Sequence, residues 1–99
     1  MIVRINWTAE SERTFNQNIE FLAKEWDILV LNNFLDRVEE ALEWIRANPK
    51  LYPLHSPKEN VHRCVIHERI ILYYRIVDDE TIDLLTFWNT TQNPDKLKI

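Results

Sequence analysis

The chain has 99 residues, 45% of them hydrophobic and 11% aromatic, with four Trp. That supplies one domain over residues 1–99 with a single packed core, and it excludes a disordered chain. The net charge of −4 is not that of a general nucleic-acid binder.

The start, IVRINW, alternates Ile2, Arg4 and Asn6 against Val3, Ile5 and Trp7, which predicts a strand. The chain turns polar straight after it, so neither a signal peptide nor a membrane span is expected there. Thr8 is placed to cap a helix over residues 8–25, with Glu10 and Glu12 in its first turn. Phe15, Ile19, Leu22 and Trp26 recur at helical spacing and form its apolar stripe. Asp27 can cap a second helix over residues 27–47, whose stripe is Leu31, Phe34, Leu35, Val38, Leu42 and Ile45. Asn48-Pro49 stops it. The short link makes the pair an antiparallel hairpin.

Residues 50–60, KLYPLHSPKEN, hold two prolines, Pro53 and Pro57, without apolar periodicity and read as a loop. His62–Ile66, Ile70–Val77 and Thr81–Trp88 are β-rich runs with very short links, as in an antiparallel meander. Glycine is absent, so a turn that needs positive φ must use Asn, Asp or His, and a Gly-rich phosphate loop is excluded. Cys64 is alone, which excludes an intrachain disulfide and fits a reducing cytoplasm. The expected fold is α+β, in the order β-α-α-β-β-β, with both helices on one face of a four-stranded, mainly antiparallel sheet. Both faces of Ile70–Val77 are largely apolar, so the face away from the helices needs partial cover.

Charge is unevenly spread. Residues 50–75 carry five Lys/Arg, two Glu and all three His, whereas the segments on either side are acidic. A single surface built from that quarter of the chain can hold an anion despite the acidic total.

INWTAESE, LEWIRANPKLYP and HRCVIHERIILYYRIVDDETIDLLTFWNTTQNPDKL, in that order, resemble the RelE/ParE toxin superfamily over nearly the whole chain. The resemblance implies the toxin of a type II toxin–antitoxin system, a cytoplasmic growth inhibitor silenced by a cognate antitoxin. It implies one of two targets, the mRNA on the ribosome or DNA gyrase. It implies no cofactor. The rival reading is a protein-interaction module or decayed toxin without target activity.

Metal-independent RNA cleavage needs a group to take the 2′-hydroxyl proton, one to protonate the leaving oxygen, and cations for the transition state. Arg63 lies where the family commonly has a strand Arg, and His67 and Arg69 lie in the turn after it. By alternation Val61, Arg63, Val65 and His67 share a side of one strand, and Ile71, Tyr73 and Arg75 share a side of the next. Arg63, His67 and Tyr73 are therefore the candidate catalytic residues, and Arg69, Arg75 and Trp88 the candidates for holding phosphate or target. Tyr73 is expected to be an exposed phenol, and Tyr74 a packed one with its hydroxyl capped. The fourth β-run ends in Trp88-Asn89-Thr90-Thr91-Gln92-Asn93, where RNA-cleaving relatives carry Arg, His or Tyr. None of these is an effective acid or base near neutrality. His55, His62, Cys64 and His67 lack the paired spacing of a zinc site, and no metal is expected.

Overall fold

A computed structural model describes residues 3–25, 27–97 and 99. The elements run β1 (Arg4–Trp7), α1 (Ala9–Glu25), α2 (Ile28–Ala47), β2 (Leu54–Ser56), β3 (Val61–His67), β4 (Ile70–Asp78) and β5 (Thr81–Asn89). Ile2 and Trp26, assigned by periodicity to the first strand and the first helical stripe, lie outside the described residues.

Both helix starts are built as their sequences require. Thr8 Oγ1 accepts the Ser11 N–H at 3.1 Å, and Asp27 Oδ1 accepts the Val30 N–H at 3.1 Å. Each side chain satisfies a backbone donor that the first helical turn cannot. Asn48 caps the end of α2 by donating its N–H to Trp44 O at 2.8 Å. The one positive φ among the described residues falls on Asn60, at 55°. In a chain without glycine, Asn is the residue that takes this conformation at least cost.

Among the described residues the sheet has five strands in the order β1-β5-β4-β3-β2, not four. The extra strand is β2, inside the stretch read as loop. It is only three residues long and pairs with β3 through Leu54↔His62 and Ser56↔Val61. A strand that short, between prolines, has no room for a visible period-two pattern. β3, β4 and β5 form the expected meander, and β1 adds in parallel along β5 from Arg4↔Thr81 to Trp7↔Leu84.

Both helices cover one face. Phe34, Val38, Ala41 and Ile45 of α2 and Leu22 of α1 bury against Cys64, Ile66, Leu72, Tyr74, Leu84 and Phe87. Phe15, Ile19, Leu35 and Leu42 pack on this cluster but are only partly buried. Trp7, Phe15 and Phe87 close one end, with ring centroids 5.2 to 5.5 Å apart. Full burial of side chains this size contributes roughly 1.5–3 kcal/mol each. No described helix is long and apolar enough to cross a membrane.

α1 also carries a buried polar stripe, Ser11, Thr14 and Asn18. β1 ends opposite Leu84, so the second half of β5 would be an unpaired edge. Thr14 Oγ1 accepts the Phe87 N–H at 2.9 Å, and Asn18 Nδ2 donates to Phe87 O at 2.9 Å. Two side chains thus take the place of a neighbouring strand and satisfy backbone groups that burial would otherwise penalise.

Candidate functional site

The face away from the helices is where the candidate residues meet. Directly opposed residues of an antiparallel pair share a face. The register sets Val61 opposite Arg75, Arg63 opposite Tyr73 and Val65 opposite Ile71. It continues onto β5 with Tyr73 opposite Thr86, Ile71 opposite Trp88 and Arg75 opposite Asp83. Arg63, Tyr73 and Arg75 therefore lie on one surface, as the alternation required, and the register adds Trp88 to it.

The electrostatics of that surface differ from a simple cationic patch. Arg75 is already engaged: its Nη2 meets Glu59 Oε2 at 3.1 Å, its Nε donates to Glu59 O at 3.3 Å, and Asp83 lies across the strand. Arg63 is exposed and forms no ion pair among the described residues. Tyr73 is 5% exposed, which corrects the expected free phenol. Its cover includes His55, whose ring lies edge-on at 4.8 Å. Burial raises the Tyr73 pKa and the nearby Arg63 charge pulls it down, with burial prevailing, so the hydroxyl stays protonated at neutral pH.

His67 is not on this surface. The ladder slips between Val65 and His67, and His67 falls opposite Ile70, which belongs to the core. One extra residue at a bulge reverses the alternation beyond it. His67 instead lines a recess with Val30, Asn33, Asp36 and Arg37 of α2. Arg69 sits exposed in the turn between β3 and β4, where its carbonyl accepts the Thr90 N–H at 2.7 Å. Trp88 is partly buried beside Leu97 and Lys96 of the C-terminal segment.

His55 is the residue of this surface that sequence reasoning passed over. It lay in a stretch read as loop, and its contact with Tyr73 depends on β2, which left no pattern. Tyr74 is as expected, fully buried, stacked on His62 at 5.4 Å, its hydroxyl donating to Pro49 O at 2.7 Å. Cys64 is buried in the core. Among the described residues no three His, Cys, Asp or Glu side chains converge as a metal ion requires.

The family model for the ParE toxin of the type II toxin–antitoxin system parDE matches residues 5–94. No curated protein matches the chain significantly in sequence. Among solved structures, the chain is similar to one of the chromosomal ParDE system of P. aeruginosa, with TM-score 0.69 and 10% identity, covering 89% of this chain and 96% of that one. It is similar to one from the E. coli DinJ-YafQ toxin-antitoxin complex, with TM-score 0.64 and 9% identity over 92% of this chain and 96% of that one. A YoeB/ParE toxin from Agrobacterium tumefaciens aligns with TM-score 0.62 and 13% identity over 88% and 98% of the two chains. At such identities these likenesses establish the fold.

Proposed function

The chain belongs to the family of ParE toxins of type II toxin–antitoxin systems, and we propose that it arrests growth by binding its target through the open sheet face, with a cognate antitoxin as its silencer. The cellular target we infer is DNA gyrase, and the site of action the cytoplasm. One observation carries the choice of binding over chemistry. β5 ends in Trp88 and Asn89 with no proton-transfer group, and His67 lies on the other side of the sheet. What remains is Arg63 as the charged anchor, Arg75 held by Glu59, and Trp88 as a flat apolar surface. That set suits adhesion to an anionic or protein surface. The antitoxin reading draws support from the solved relatives that were captured as toxin–antitoxin complexes.

A second reading, ribosome-dependent mRNA cleavage, is favoured by one contact, His55 against Tyr73 beside Arg63. It would set an imidazole and a phenol side by side next to a guanidinium on that face. Induced expression separates the two. Gyrase-dependent DNA breaks, abolished by Arg63→Ala and unchanged by His55→Ala, support the gyrase reading. New mRNA ends, reduced about 10²–10⁴-fold in rate by His55→Ala, overturn it in favour of cleavage.

A further inference from the structure

We propose that the recess between residues 50–54 and His62 is a binding site for a small, singly charged carboxylic acid with an apolar body and one N–H donor, of the class of N-acylated apolar amino acids. The site is separate from the Arg63 surface and independent of the toxin reading.

The recess has a volume of about 510 Å³, and its lining includes Lys50, Leu51, Tyr52, Pro53, Leu54 and His62. Arg63 takes no part in it, because His62 pairs with Tyr74 on the helix side of the sheet and the next residue points the other way. A cavity of this size suits a small molecule.

Its walls are built before any ligand arrives. The Tyr74 hydroxyl donates to Pro49 O at 2.7 Å, and the Arg63 N–H donates to Pro53 O at 2.9 Å. Between these two ties, His62 Nδ1 lies 2.7 Å from Tyr52 O. The segment between α2 and β2 is thus pinned to β3 and β4 at three carbonyls. A preformed wall has little freedom left to lose on binding.

The same contacts fix the chemistry of the base. A carbonyl oxygen only accepts, so the bond to Tyr52 O places a proton on His62 Nδ1. In the neutral ring Nε2 is then a bare acceptor. His62 is 4% exposed, yet Nε2 is neither bonded nor sealed from solvent among the described residues. It calls for a donor arriving from the recess. At the rim, Leu51 and Leu54 are 48% and 50% exposed. Two large aliphatic side chains left half open on one small recess favour an apolar body between them. Lys50, also at the rim, forms no ion pair among the described residues and is the charged residue of the lining. It selects a carboxylate. An N-acylated apolar amino acid carries the acid, the apolar side chain and one N–H on neighbouring atoms.

N-acetyl-phenylalanine is the probe, titrated into the full isotope-labelled chain at about pH 8, where imidazoles are ordinarily neutral. The expected result is amide shifts confined to residues 50–54 and 62, with a displaced Nε2 signal from the His62 ring. Its uncharged primary amide should bind roughly threefold more weakly. The N-methylated acid, which lacks the donor, should bind roughly tenfold more weakly and leave the Nε2 signal in place. Lys50→Glu and Leu54→Ala change exposed positions and should leave the fold intact. The first should erase the preference for acid over amide, and the second should weaken binding roughly fivefold. No shift at millimolar probe, shifts centred elsewhere, equal binding of acid and amide, or full binding of the N-methylated acid overturns the proposal.

Discussion

The second half of β5 and the second half of β3 face the same problem and meet it differently. Each outlasts its neighbouring strand, since β1 stops opposite Leu84 and β2 stops opposite His62. At β5, α1 closes in with Thr14 and Asn18, both under 10% exposed, and satisfies the N–H and the carbonyl of Phe87. At β3, α2 packs on the strand's core side but leaves its edge bordered by a groove with one long Arg37 contact. The side chains at the two edges differ: buried Thr14 and Asn18 lie against β5, whereas exposed Arg37, Glu40 and Trp44 border the groove at β3. A sealed edge contributes stability, and an unsealed one is available to a partner.

The core beneath both edges sets the largest effect. Phe34 is fully buried at the centre of the helix layer. Phe34→Ala should cost about 3–5 kcal/mol by urea unfolding, from lost transfer energy and the cavity left behind. It should loosen both edges together in amide exchange. Loosening of one edge alone would mean that the two halves do not share a core. Next comes the seam itself. Asn18→Ala leaves Phe87 O without its side-chain donor in a buried place and should cost about 1–3 kcal/mol, as should loss of the Thr14 hydroxyl in Thr14→Val. A cost below roughly 0.5 kcal/mol for both would show that the seam is only incidental.

Much of this molecule was legible because its signals are local and periodic. Thr8 and Asp27 announce two helices, the stripe through Phe34, Val38 and Ile45 announces the core face, and the two short links announce the meander. What was hidden depends on places where the period breaks. β2 is too short to show alternation. The slip after Val65 inverts the side on which His67 lies, and no residue in Val65-Ile66-His67 marks it. Ser11, Thr14 and Asn18 form a polar stripe at helical spacing, which in sequence is the same as a solvated face. Only the early end of β1 reveals that this face is buried. For the candidate surface, alternation placed Arg63, Tyr73 and Arg75 together correctly. It could not show that Glu59 occupies Arg75 or that His55 covers Tyr73, because both come from the segment without a pattern.

Alkaline pH should separate the two edges further. Beneath the β3 edge, burial pushes up the Cys64 thiol and the Tyr74 phenol, and burial together with the neighbouring thiol pushes Tyr52 up to about 12. The seam side chains Thr14, Asn18, Thr86 and Asn89 hold no titratable group. The folded values of these three groups lie above the unfolded ones, so their contribution to stability is complete below the ordinary values of 9.0 and 10.0. It is lost as pH rises from those values through the raised folded ones, because the unfolded chain ionises first. The urea midpoint should hold steady to about pH 9 and then fall. A single-Trp variant reporting from Trp44, at the β3 groove, should respond at lower pH than one reporting from Trp7, beside Phe87. Responses at the same pH would erase the distinction.

The smallest expected effect discriminates best. Arg37→Ala removes the described side-chain bond that α2 makes to the β3 edge, yet its stability should move by no more than about 0.5 kcal/mol. The reason lies in what replaces the lost contact. Arg37 is exposed and its bond to Ile66 O is long, so water can hydrate the freed carbonyl at little cost. Asn18 is 3% exposed, and water has no comparable access to Phe87 O when its donor is removed. The ratio of the two alanine effects therefore measures how far one edge is sealed and the other open. If Arg37→Ala destabilised the fold as much as Asn18→Ala, the β3 edge would be a finished seam like that of β5.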